Sequence, residues 1–449
     1  MNRYLGLTGC VVAVVCAALG CTWTRFDDVT DNPPVERLEA PNGTSSLGMS
    51  MAIYPSGTGT KLAVAASDRL VFYDLGTGTA PSQTATNSQS CVGDNSCILS
   101  RHLVGLGAES MTGNLGCVAY GLGIPKDSGG NPLLDTNGKP RVELWLYCED
   151  SKRSSLPLPP SLTDWFPVHP VSAQTVVEFA TTRHSGTQPL VAAMPDANEL
   201  WFYSGTDATP VELPPLPNSQ SAGQALAIVS YGTGYVVAAS SSNPADTVWF
   251  YQIESGTAPV LTGCISGPSQ LGRLLATGKF DADDIDDLLV ADATTVYLIA
   301  GSSLVVSSPG SVPACTSLDS ARVIAKVTCS ALTDLDGCVG QPFAAAVAAA
   351  NLDGTAPDEL VIGDPNTVVR GENAAGAVFI YQLQGGAFNV KGGLYVSSAT
   401  AGDRLGTSLA AAPVGKVEGV MAGSPGDNSV MAFYCNSLLP ADSKSARCP

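Results

Sequence analysis

Residues 189–203 read PLVAAMPDANELWFY. A run of small and branched apolar residues, a Pro-Asp-Ala-Asn reversal and a second apolar run ending in aromatics make two short strands joined by a tight turn. The same phrase recurs in both directions along the chain. Upstream it is KLAVAASDRLVFYD at 61–74, then GCVAYG at 116–121 closed by VELWLYC at 142–148. Downstream it is GYVVAASSSNPADTVWFY at 234–251, DLLVADATTVYLIAG at 287–301, ELVIGDPNTVVRGENAAGAVFIY at 359–381 and GVMAGSPGDNSVMAFYC at 419–435. Seven copies fill the chain, their aromatic ends at Tyr73, Tyr147, Tyr203, Tyr251, Tyr297, Tyr381 and Tyr434. The spacing averages near the ~40–50 residues of a four-stranded blade, and helix periodicity is absent. The sequence therefore predicts an all-β chain folded as a seven-bladed β-propeller over residues 46–436, with a C-terminal tail at 437–449. A β-sandwich array or a solenoid also repeats strands, but a closed ring leaves fewer exposed strand edges. Longer gaps before Tyr147 and Tyr381 read as loop insertions at 126–141 and 302–341, positions suited to recognition on a rigid ring.

The beginning of the chain carries an address. One basic residue, Arg3, precedes an apolar stretch from Tyr4 to Gly20. That stretch is shorter than the ~20 residues a spanning helix needs, and its flanks are those of an export signal. It ends Ala18-Leu19-Gly20-Cys21, which resembles the bacterial lipobox. The expectation is a signal peptide at 1–20, lipidation of Cys21 and a polar, proline-containing tether at 21–45. Membrane attachment would then be by lipid anchor. Thr22 after the anchor resembles an outer-membrane or cell-surface address.

Composition narrows the partners. The formal net charge is −18 with 22 basic residues, and no Lys/Arg cluster occurs. Nucleic acid is thereby excluded as a partner, because phosphate binding needs concentrated positive charge. Of the 13 cysteines, Cys10 and Cys16 leave with the signal and Cys21 takes lipid, so an even number remains. In an exported chain an even count points to disulfides. Nearest-neighbour pairing gives Cys91 with Cys97, Cys117 with Cys148, Cys264 with Cys315, Cys329 with Cys338 and Cys435 with Cys448, although spacing alone does not fix connectivity. Zinc is the rival use of clustered cysteines, but no CxxC pair occurs.

The last third of the chain holds recognisable words. FAAAVAAANLDGTAPDELVIGDPNTVVRGENAAGAVFIY at 343–381 and DRLGTSLAAAPVGKVEGVMAGSPGDNSVMAFY at 403–434 resemble FG-GAP repeats of the integrin α-subunit propeller type. LGRLLATGKFDADDIDDLLVADATTVYLIAG at 271–301 is similar in its acidic loop. The resemblance implies an integrin-like propeller in which acidic loops bind calcium through alternating carboxylates, a chemistry that suits a hard cation. Laid on that pattern, one loop offers Asp281, Asp283 and Asp287, with Lys279 where an acid is expected. The other offers Asn351, Asp353 and Glu359, with Thr355 at the central position. The alternative use of these acids is to cap turns.

Catalytic motifs are missing. The three histidines, His102, His169 and His184, stand outside any metal or triad motif, and no GxSxG elbow occurs. The acid pairs Asp286-Asp287 and Asp358-Glu359 suggest glycoside hydrolysis at first sight, but neighbours on a strand point to opposite faces. Trp145, Trp201, Phe202, Trp249 and Phe250 suit either a sugar-binding surface or packing between blades, and packing is the commoner use. The expected function is a non-catalytic binding, adhesion or scaffolding lipoprotein with a protein or glycan ligand outside the cytoplasm. A hydrolase acting on glycans or phosphodiesters is the alternative, and convergent carboxylates or a histidine in the central channel would mark it.

Overall fold

The computed structural model describes residues 35–433, except 57–58, 68, 77–86, 91–97, 107–115, 124–126, 128, 130, 132, 135–137, 139–142, 149–152, 158–177, 183–189, 195–198, 205–209, 218–221, 233, 242–245, 255–256, 307–314, 330, 333–334, 337–341 and 415–416. The expected signal peptide, Cys21, the tail at 437–449, His169, His184, Cys91, Cys97, Cys338, Cys435 and Cys448 lie outside the described residues. Within them the chain is all-β, with two short 3₁₀ turns at Gly301–Ser303 and Leu318–Ser320.

The strands form mainly antiparallel meanders, and Ala331–Leu332, Leu335–Asp336 and Val368–Val369 make a further small three-stranded sheet. Four-stranded sheets span residues 50–90 (first), 98–157 (second), 178–212 (third), 274–328 (fifth) and 346–394 (sixth). The fourth sheet, beginning at residue 222, has five strands. The seventh joins three strands from 409–433 to Val35–Glu39 near the start of the chain.

The leading strand of each sheet packs beside the leading strand of the next, from Ser50–Ser56 through Ile98–Leu106, Glu178–Thr181, Ala222–Tyr231, Leu274–Gly278 and Ala346–Ala350 to Leu409–Val414. The last of these returns to Ser50–Ser56. This closed succession is a β-propeller. Small residues on the leading strands let them approach one another: a side chain at Gly278 would collide with the Ala349 methyl.

Between sheets lie separate apolar cores, and the repeated aromatic phrase explains them. On strand Thr247–Ile253, Trp249 and Tyr251 enter the core shared with the third sheet, while Val248 and Phe250 enter the core shared with the fifth. Strand alternation sends successive side chains to opposite faces, so a blade buried on both faces needs consecutive large apolar residues. Phe379 and Tyr381 likewise face the fifth sheet, and Val378 and Ile380 the seventh. Trp201, Phe202, Trp249 and Phe250 are therefore packing residues. Each buried side chain of this size contributes about 1.5–3 kcal/mol.

Ring closure falls on a segment expected to be tether. Val35–Glu39 pairs antiparallel with Ser429–Phe433, Val35 opposite Phe433 and Glu39 opposite Ser429. Leu38 is fully buried in the core between the seventh and first sheets. Arg37 forms an ion pair with Asp427 at 2.9 Å, and the Tyr73 hydroxyl donates to the Glu39 carbonyl at 2.6 Å. The Asn428 side chain accepts from Leu47 N–H and donates to the Thr44 carbonyl, both at 2.9 Å. The tether assignment of 21–45 is thus corrected: from residue 35 onward the chain belongs to the ring, because the seventh sheet lacks an outer strand of its own.

The expected insertion at 302–341 is also reassigned. Val323–Thr328 inside it pairs with Thr295–Ile299 as the outer strand of the fifth sheet. Thr316–Ser317 reaches back and adds in parallel to Val260–Ser266, the outer strand of the fourth sheet. The Cys264–Cys315 disulfide fixes this reach, with Cα atoms 4.7 Å apart and a sequence separation of 51. Closing a loop of that size is worth about 4 kcal/mol in chain-entropy terms. Cys117 and Cys329 are disulfide-bonded as well, and Cys117 stands directly opposite Cys148 in the strand register.

Candidate cation-binding site

Two acidic loops connect a leading strand to the second strand of the same sheet: 279–286 in the fifth and 351–358 in the sixth. In the fifth, Asp281 and Asp283 each accept a backbone N–H through one oxygen and Asp287 through both. Asp281 Oδ1 accepts from Asp283 N–H and Asp283 Oδ1 from Ile285 N–H, both at 2.9 Å. Asp287 is fully buried, and its two oxygens accept from Phe280 N–H at 3.1 Å and Gly301 N–H at 2.9 Å. Burial pushes the Asp287 carboxyl up to about 6, the two N–H donors hold it back, and the charges of Asp281 and Asp283 add to the rise. Lys279 stands at the leading position of this loop, where the FG-GAP-like pattern has an acid. Its acids do the work of turn capping.

The sixth loop differs. Asp353 Oδ1 accepts from the backbone and hydroxyl of Thr355 at 2.8 and 2.6 Å, and Glu359 Oε2 accepts from Leu352 N–H at 2.9 Å. The second oxygen of each, Asp353 Oδ2 and Glu359 Oε1, is buried without a hydrogen-bond partner, and so is Asn351 Oδ1. Glu359 itself is fully buried. Burial, then the neighbouring Asp353 charge, pushes its carboxyl up to about 8. Leaving a buried acceptor unsatisfied costs on the order of 1–3 kcal/mol each, and three hard oxygen donors short of a positive partner are what a calcium ion satisfies. Among the described residues no three His, Cys, Asp or Glu side chains form a metal-binding group. The oxygens of the sixth loop come from two carboxylates and an amide, which are hard donors of the kind a calcium site uses.

The acid pairs are divided between two tasks. The second of each pair, Asp287 or Glu359, closes its own loop. The first reaches to the preceding sheet: Asp358 Oδ2 accepts from Lys279 N–H at 3.0 Å, and Asp358 N–H donates to the Lys279 carbonyl at 2.8 Å. Asp286 treats Ser230 in the same way, accepting from its N–H at 3.4 Å and from its hydroxyl, and donating to its carbonyl at 3.1 Å. Glu418, which has no acidic neighbour in sequence, repeats the pattern on Asn351, with bonds of 2.6 and 2.9 Å. Sequence reasoning missed Glu418 because its partner lies 67 positions away. In each pair one acid is thus an inter-sheet clamp and the other serves its own loop.

The leading strands enclose a central channel of about 840 Å³. Its wall is dominated by small apolar residues such as Ala52, Ala180, Ala227, Ala276, Ala348 and Ala410. The carboxylates bordering it, Glu178 and Glu418, stand on the third and seventh sheets, and no histidine occurs among its described lining residues.

No protein-family model matches the chain, and no curated protein matches it. Among solved structures, it is similar to a chain from one described as "Crystal Structure of Mitotic Checkpoint Complex", with 12% identity and a TM-score of 0.47 over 90% of this chain and 92% of the other.

Proposed function

We propose that this protein is an exported, lipid-anchored binding or scaffolding module: an integrin-type propeller of seven blades, held to the outer membrane or cell surface through Cys21 and carrying a calcium ion in its sixth loop. The fourth sheet counts as a blade in this reading, its fifth strand being an addition from the neighbouring loop. Its ligand is a protein or glycan met by loops on a rigid ring. The observation that carries the reading is the set of buried oxygens without donors at Asn351, Asp353 and Glu359. It agrees with the part of the chain whose words resemble FG-GAP repeats.

The test is calcium titration by calorimetry on the full chain purified in detergent, alongside a Glu359→Gln variant. One saturable site is expected, with a dissociation constant of about 10⁻⁴–10⁻³ M, the range of extracellular modules, and its loss in the variant. Absence of binding in the unaltered protein sinks the calcium reading. Metabolic labelling with a fatty acid, lost in Cys21→Ala, tests the anchor separately.

A further inference from the structure

We propose that Glu418 is a positioning residue for the sixth-loop cation site, holding that site's first oxygen donor from the neighbouring sheet. Cation affinity is then set partly across the boundary between the sixth and seventh sheets. The inference rests on the calcium reading of the sixth loop given above.

Asn351 is gripped at both backbone polar atoms by one residue. Its N–H donates to Glu418 Oε2 at 2.6 Å, and its carbonyl accepts from Glu418 N–H at 2.9 Å. Two antiparallel bonds fix the Asn351 backbone and leave its side-chain torsions as the freedom that moves Oδ1, which no hydrogen bond holds. The other two donors are placed from within the loop: Asp353 through Thr355, and Glu359 through Leu352. Asn351 is thus the donor of the three whose position is supplied by a different sheet. A charge-assisted bond as short as this one is among the stronger kinds available to a backbone N–H.

Glu418 begins far from the loop in sequence but close to the closure seam. It lies on Val417–Ser424, which pairs with Ser429–Phe433, and that strand in turn carries Val35–Glu39. The equivalent clamps made by Asp286 and Asp358 hold Ser230 and Lys279. Lys279 brings a cation where Asn351 brings an oxygen, so the same mechanical device serves a ligand site only in the sixth loop. Partners that orient a metal ligand from behind typically change affinity by about 10–100-fold when removed.

Calcium calorimetry on the full chain decides the matter, comparing the unaltered protein with Glu418→Ala, Glu418→Gln and Asp286→Asn. Glutamine keeps an acceptor oxygen and drops the charge. Affinity should fall about tenfold in Glu418→Ala and largely recover in Glu418→Gln. Asp286→Asn, a clamp remote from the sixth loop, should lower the melting temperature without changing affinity. Unchanged affinity in Glu418→Ala overturns the proposal. So does a Glu418→Gln variant as weak as the alanine form, which would assign the effect to the field of the charge. Equal weakening in Asp286→Asn would assign it to general loosening of the ring and overturn it too. No binding in the unaltered protein removes the calcium reading itself and this inference with it, a result distinct from the other three.

Discussion

The fifth and sixth loops share a frame and part company in one respect. Both span the first and second strands of a sheet, both end in an acid pair, and in both the first acid of the pair clamps the sheet before it. The fifth has more carboxylates, yet those assigned to the site already accept from backbone N–H groups. The sixth has fewer and leaves three oxygens without donors. A count of acids does not identify a cation site. What identifies it is the number of buried acceptors remaining after the backbone has taken its share, since only those gain from an ion.

The most direct test of this contrast is Asp287→Ala. It strands the Phe280 and Gly301 N–H groups, both at buried residues, and should cost about 3 kcal/mol in urea unfolding whether or not calcium is present. A cost that appears only with calcium would mean that the fifth loop is a cation site after all.

Glu359→Gln should act in the opposite direction and depend on pH. The Glu359 carboxyl is raised from 4.5 to about 8 in the folded chain, so the fold holds this proton more tightly than the unfolded chain does. The resulting stability is fully present below pH 4.5 and is lost as pH rises toward 8. Without calcium, glutamine should therefore leave stability nearly unchanged at acid pH and raise it at pH 8 by on the order of 4 kcal/mol. With calcium in excess the order should reverse, since only the unaltered protein binds. Thermal melts at pH 5 and 8, each with chelator and with calcium, give the four values. Identical pH profiles for both proteins in chelator would show that Glu359 is not the group responsible.

The smallest expected effect is that of Lys279→Asp. It restores an acid at the leading position of the fifth loop, but the oxygens of Asp287 remain engaged. Calorimetry should find no new site tighter than about 10⁻³ M; a tight one would dissolve the contrast between the loops.

The propeller was legible because consecutive apolar residues closing each repeat are what a strand buried on both faces requires, as Trp249, Phe250 and Tyr251 illustrate. The closing strand was not. Val35–Glu39 reads VERLE behind two prolines, and its inward residue Leu38 is too little to distinguish a strand from a tether. Its place is dictated by the unpaired edge at Ser429–Phe433, almost 400 residues further on. The strand Thr316–Ser317 is two residues long and carries no periodicity. The acid pairs were visible as pairs, and strand alternation already argued against a dyad. Which sheet each acid served depended on packing between blades, and Glu418 gave no local sign at all.

The closure strand also determines how the molecule would bear a load. A pull applied to the chain ahead of residue 35 enters the ring at Val35. Tension along the strand axis must shear all five cross-strand pairs at once, together with the Arg37–Asp427 bridge. Tension across the axis peels them singly from Val35 opposite Phe433. The seam that completes the ring thus resists a pull along its strand and yields pair by pair to a pull across it.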